Sequence, residues 1–230
     1  MSIPNNLSSI LKTIPPGVKL IAVSKTKPES DILQAYQAGQ KIFGENKAQE
    51  LAAKCQSLPK DIEWHMIGHM QSNKVKYIAP FVHMIHSIDS LNLLKEVNKQ
   101  GIKNNRIINV LLQFHIAEEE SKFGFSEEEA KELLSSREFS ELKNINVCGI
   151  MGMATFTENT NQIQKEFSHL NSIFKKLKSE YFTNHPNFKE ISMGMSGDYE
   201  IAIEEGSSLV RLGTLIFGER LTKTFNRGEL

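Results

Sequence analysis

Two lysines, Lys25 and Lys27, flank a threonine in the stretch LIAVSKTKP, where the apolar run Leu20 to Val23 ends. A charged group at the end of a buried strand is costly unless it is paired or used. Desolvation lowers an ammonium pKa, and a neutral amine attacks an aldehyde to form a Schiff base. Alternate residues of a strand share a face, so Ile21, Val23 and Lys25 point one way and Leu20, Ala22 and Ser24 the other. Lys27 has the same parity as Lys25. It precedes Pro28, however, in what reads as an extended, wetter loop. Lys25 is therefore the candidate amine, and Lys27 a helix-start residue that tunes the charge nearby. The plain alternative for Lys25 is a lysine that snorkels to solvent or pairs with a carboxylate such as Glu45.

Three other places could carry chemistry. Ser196-Gly197-Asp198 leads directly into a helical pattern, and a helix start offers free amides and partial positive charge to an anion. The same residues could be no more than a cap. Gly213-Thr214 lets backbone approach a ligand and adds one hydroxyl. Arg211 stands inside the apolar stretch SLVRLGTLIFG and needs an acceptor, either an acid on a neighbouring strand or a ligand. A Schiff-base lysine, a phosphate cradle and a buried arginine together describe a pyridoxal phosphate site.

The elements that must position these residues follow from the hydrophobic pattern. Short apolar runs alternate with helical stretches. The runs are 18–24, 41–44, 62–68, 84–87, 107–116, 147–153, 191–195 and 209–217. Continuous apolar runs read as strands buried on both faces. Eight strand-then-helix units in 230 residues, with no linker, predict a single-domain (β/α)8 TIM barrel over about 18–218, preceded by a short helix over 5–13. Ser126 and Glu129 fit a capping box. Ile163, Phe167, Leu170, Ile173, Phe174 and Leu177 form an apolar stripe on a long helix. In such a barrel the active end carries the residues that follow each strand, with phosphate favoured after strands seven and eight. Lys25, Ser196 and Gly213-Thr214 occupy those places.

Composition narrows the function. Lys+Arg and Asp+Glu are both 27, so no basic excess points to nucleic acid or an anionic membrane. Cys55 and Cys148 form no CxxC pair and read as buried thiols of a reducing compartment. The first residues do not form a secretory signal, and no apolar window spans a membrane. A cytoplasmic monomer is expected. His65 and His69 are four apart but straddle a strand and a glycine, His83 and His86 flank another strand, and no third ligand is evident, so no metal is expected.

The motifs AVSKTKP, FGEN, WHMIGHMQSNK, SKFGF and GMSGDYEIAIEEGSSLVRLGTLIFG, in this order, closely resemble the pyridoxal-phosphate homeostasis protein family. That family looks like the barrel domain of alanine racemase without its second domain. The resemblance covers about 18–218. It implies pyridoxal 5'-phosphate as cofactor, Lys25 as its covalent attachment and Asn46 beside its ring. It further implies Ser196, Gly213 and Thr214 as phosphate binders and Arg211 facing the pyridine nitrogen. Four positions depart from the pattern: His69 stands for a proline, GIMGMAT lacks one, His115 stands for an asparagine and Tyr199 for a methionine. None is an implied cofactor contact.

A racemase needs a second acid/base on the far face of its substrate, which this chain is expected to lack. Arginine at the ring nitrogen also disfavours a protonated ring and weakens its capacity to accept electrons. The expectation is a cofactor-holding protein of vitamin B6 homeostasis, without a dedicated reaction, that passes the cofactor to apo-enzymes. A weak amino-acid racemase or a lysine-dependent aldolase is the alternative. Lys74 and Lys122 are candidates for a second, transient cofactor site.

Overall fold

The computed structural model describes residues 2–118 and 123–219. Eight parallel strands close into a barrel in sequence order: β1 (Lys19–Val23), β2 (Ile42–Glu45), β3 (Glu63–Met66), β4 (Met84–Ile88), β5 (Ile108–Gln113), β6 (Ile145–Met151), β7 (Glu190–Ser192) and β8 (Leu209–Leu212). β8 closes on β1, where Ile21 lies opposite Arg211. The helices α1 (Ile3–Leu11), α2 (Glu29–Gln37), α3 (Ala48–Ser57), α4 (Leu91–Lys103), α5 (Glu127–Ser135), α6 (Arg137–Ser140), α7 (Thr160–Glu180), α8 (Tyr199–Glu204) and α9 (Thr214–Phe217) complete the described elements, with a 3₁₀ turn at Ser72–Tyr77.

Strand parity separates two cores. Ala22, Phe43, Trp64, Val110 and Ile150 face outward into the large core shared with the helices. Ile21, Met84, Leu111, Cys148, Met151 and Leu209 fill the barrel interior. Each buried aliphatic or aromatic side chain adds roughly 1.5–3 kcal/mol of transfer free energy. The expected stripe on α7, from Ile163 to Leu177, is buried throughout. Ser126 and Glu129 form the capping box that starts α5. Gly149 shows how closely β6 and β7 approach: at φ +152°, a Cβ there would lie 1.8 Å from the Glu190 carbonyl oxygen, so no side chain fits.

Two expected boundaries are corrected. The first helix begins at Ile3 rather than residue 5, because Pro4 sits in its first turn, where a missing N–H costs nothing. Strand β8 stops at Leu212, and the apolar stretch Thr214–Phe217 turns into α9 instead of extending the strand to 217. A short apolar run does not itself distinguish strand from helix. The reversal places Gly213 and Thr214 at a helix start on the rim.

Candidate functional site

The residues that follow the strands converge on one cavity of about 360 Å³ at the C-terminal end of the barrel. Lys25, Asn46, Ser196 and Arg211 all line it. Lys25 is half-buried and keeps the inward parity of Ile21 and Val23. The carboxylate proposed as its alternative partner is bound elsewhere: Glu45 Oε1 accepts from Ser24 Oγ at 2.6 Å and Lys54 Nζ at 2.8 Å. Lys54 also donates to the Ser24 carbonyl at 2.9 Å and to Glu50 at 2.7 Å. This buried knot under β1 and β2 holds the backbone that precedes Lys25. Desolvation pushes the Glu45 carboxyl above its ordinary value despite the bonds from Lys54 and Ser24.

Thr26 takes a left-handed conformation, φ 65°, and turns the chain between the two lysines. Lys27 therefore leaves the cavity. Its Nζ donates to the carbonyls of Phe217, Gly218 and Glu219 at 2.9, 3.2 and 3.1 Å. It caps the end of α9, where a cation meets the carbonyls that lack helical partners. The expectation that Lys27 tunes the charge of the site is replaced by this tethering role.

Arg211 is almost fully buried. Its acceptors are neutral, Ser192 Oγ at 2.5 Å and the Gly152 carbonyl at 3.2 Å, rather than a neighbouring strand's acid. Burial pushes the guanidinium down to about 10, partly countered by Asp198, so it stays charged at neutral pH. Asp198 in turn is pushed up by burial. Behind Arg211 runs a chain of buried side chains. His86 Nδ1 lies 2.9 Å from Ser192 Oγ, and His86 Nε2 lies 2.8 Å from His65 Nδ1. Burial keeps both imidazoles neutral, with His65 pushed down to about 3. Arginine can only donate, so Ser192 accepts from it. The rest of the chain has two self-consistent proton arrangements, one for each direction of donation.

The anion end is built from the loops after β7 and β8. The Gly213 amide lies 3.4 Å from Ser196 Oγ, which brings the two loops together. The Asp198 and Tyr199 amides donate to the Met195 carbonyl, and Asp198 Oδ1 turns back to the Met195 amide. Asp198 therefore does not cap α8. The Ser196 and Gly197 amides make no hydrogen bond among the described residues. Gly197 faces open space. Thr214 is exposed and does not line the cavity, and it opens α9, whose first amides have no intrahelical acceptor.

Some contributors were not legible beforehand. Thr155, on the rim after β6, is clamped by the buried Glu166: its amide and hydroxyl each donate to a different carboxylate oxygen at 2.7 Å. Ser192, His86 and Lys54 act from behind the cavity through contacts between elements, which local spacing does not reveal. Lys74 lines a separate shallow depression that borders Asn46. Lys122 lies outside the described residues.

The geometry offers an amine, a buried cation and free amides around one space. Asn46 Oδ1 is buried with no partner among the described residues, so a donor on a bound group would complete it. The family model described as alanine racemase, N-terminal domain, matches residues 2–221. A pyridoxal phosphate homeostasis protein of Aquifex aeolicus is 43% identical over 204 residues, which cover 88% of this chain and 87% of that one. Its counterpart in Escherichia coli K12 is 38% identical over 90% of this chain and 87% of its own. This chain belongs to the pyridoxal phosphate homeostasis protein family. Among solved members of similar fold, PipY of Synechococcus elongatus with PLP bound has a TM-score of 0.84 and 32% identity, covering 94% of this chain and all of that one. Alanine racemase from Bartonella henselae shares the barrel, with a TM-score of 0.68, 17% identity and coverage of 96% of this chain and 60% of the racemase. No helix among the described residues is long and apolar enough to cross a membrane.

Proposed function

We propose that this homeostasis-family protein holds pyridoxal 5'-phosphate covalently on Lys25 and releases it to apo-enzymes, with no dedicated reaction of its own. The observation that carries the reading is the meeting of Lys25, Asn46, Ser196 and Arg211 around one cavity. When bound, the cofactor supplies an aldehyde that condenses with a primary amine and a ring that can accept electron density. Lys25 provides the amine. Asn46 Oδ1 accepts a hydrogen bond that it lacks among the described residues. Ser196, with the amides of 196 and 197, receives the phosphate, and Gly213 and Thr214 complete that rim.

Arg211 decides against catalysis. It remains a charged donor, so the ring nitrogen opposite it stays an acceptor and the ring withdraws electrons weakly. Relatives at 36–43% identity carry names that describe homeostasis of this cofactor, and the PipY structure holds PLP. Free Cys55 and Cys148 suit a reducing cytoplasm. The closed barrel leaves no open sheet edge to recruit a second copy, in keeping with a monomer.

The test is spectroscopic. Full-length protein mixed with pyridoxal phosphate gains a near-visible absorbance band that borohydride bleaches, and peptide mapping places the label on Lys25. Lys25→Ala loses both band and label, and excess apo-enzyme removes unreduced cofactor from the wild type. No band, or a label that survives Lys25→Ala undiminished, would sink the reading. Lys25-dependent turnover of alanine enantiomers would assign a racemase instead.

A further inference from the structure

At the opposite, N-terminal end of the barrel, three side chains converge that do not line the cavity above. Glu63 and His65 lie two apart on β3 and share a face. His83 precedes β4 and is fixed beside them by its amide, which donates to the Trp64 carbonyl at 2.8 Å. One potential ligand atom from each of the three falls within 4.8 Å of the others. His83 Nε2 is 3.5 Å from Glu63 Oε2. The imidazoles of His65 and His83 are stacked, with centroids 5.2 Å apart. His65 is only 2% exposed. Its Nε2 has no partner among the described residues. A buried ring nitrogen left without a partner calls for an explanation.

We propose that Glu63, His65 and His83 bind a divalent transition metal, zinc foremost, at the N-terminal mouth of the barrel. Two imidazoles and a carboxylate form a borderline donor set suited to zinc, with a fourth position left for water. His83 also lines a cavity of about 280 Å³ at this mouth, which gives an ion a way in. Bonds of about 2.0–2.1 Å place neighbouring ligands of a tetrahedral ion roughly 3.3 Å apart. The His83–Glu63 distance is already close to this. The lone pairs of stacked rings lie in separate parallel planes, so the His83 ring must rotate to share the ion. It is free to do so, because the side chains of His83 and Glu63 are 42% and 46% exposed. The nearby cation Lys19 is paired with Glu190 at 2.9 Å.

His65 is held the way a metal ligand needs. A metal on Nε2 requires the proton to stay on Nδ1, which then donates to His86 Nε2. His86 Nδ1 in turn donates to Ser192, which also accepts from Arg211. Metal at one mouth therefore selects one of the two proton arrangements that reach the other.

The test uses full-length, chelator-treated protein and zinc alone, followed by titration calorimetry, with cobalt(II) absorbance as a second readout. One zinc per chain is expected. His83→Ala and Glu63→Gln, both on exposed side chains and so without a folding penalty, each weaken it by about 100-fold or more, beyond the roughly 10–100-fold seen for outer-sphere changes. His69→Ala, at the other end of the barrel, leaves it unchanged. Nitrogen-15 spectra of the zinc-bound protein show His65 protonated on Nδ1. Wild-type binding weaker than about 100 µM, or variants at positions 63 and 83 that bind zinc as tightly as wild type, would overturn the proposal.

Discussion

Arg211 Nη1 lies 2.5 Å from Ser192 Oγ, so one hydroxyl on β7 fixes the guanidinium plane on β8. His86 Nδ1 meets the same oxygen from the other side at 2.9 Å. Ser192→Ala removes this shared partner and leaves a buried guanidinium N–H and a buried imidazole nitrogen unmatched. The expected loss is about 1–3 kcal/mol of stability, visible as a lowered melting temperature. Cofactor capture weakens as well, because the arginine is no longer held. Ser192→Thr keeps the oxygen and recovers most of both. An alanine variant as stable as wild type would falsify the supporting role.

The two lysines of the opening motif separate by experiment. Lys27→Ala removes three donations to the carbonyls that end α9. Because Lys27 is partly exposed, the expected cost is about 1 kcal/mol, and the borohydride-stable label on Lys25 persists. Reductive labelling followed by peptide mapping distinguishes the outcomes. Loss of label in Lys27→Ala equal to that in Lys25→Ala would contradict the assignment.

Lys54 and Glu45 form a pair with side chains 8% and 0% exposed. Lys54→Met strands a buried carboxylate, and denaturant unfolding should show a loss of about 3–5 kcal/mol. Adding Glu45→Gln to Lys54→Met restores much of it, since the uncompensated charge is gone. The pH dependence has a definite sign. The folded Glu45 carboxyl titrates above its unfolded value of 4.5, so the folded state holds the extra proton between the two. Its contribution to stability is therefore greatest below that window and declines as pH rises through the folded value. Glu45→Gln removes that decline, and a pH series of unfolding curves for both proteins shows the difference.

Gly149→Ala tests the β6–β7 approach. A Cβ 1.8 Å from the Glu190 carbonyl oxygen cannot be accommodated without parting the strands. The expected penalty exceeds about 3 kcal/mol. Soluble yield and the unfolding midpoint both report it, and a variant of unchanged midpoint would show that the barrel yields there at little cost.

The barrel was legible because buried parallel strands leave apolar runs and each run was followed by a helical stretch. The eight runs match the eight strands in order. The excess length given to β8 came from Leu215, Ile216 and Phe217, whose apolar character persists after the chain has turned into a helix. Lys25 and Ser196 were found because each follows a strand, Arg211 because it stands inside an apolar stretch, and Asn46 through the family motif FGEN; all four line one cavity. What spacing could not show were contacts between different elements: Arg211 on β8 with Ser192 on β7, Lys54 on α3 with Glu45 on β2, and Thr155 after β6 with Glu166 on α7. The histidines illustrate the same limit. Pairing by sequence joined His65 to His69 and His83 to His86, whereas the barrel joins His65 to His83 and adds Glu63.

The closure of β8 onto β1 also has a consequence for biosynthesis. Lys25 leaves the ribosome long before Ser196 and Arg211, which share its cavity. Pairing between the first and last strands joins residues far apart in the chain, a kind of contact that is slow to form. A nascent chain therefore exposes Lys25 long before the strand that carries Arg211 closes the cavity around it.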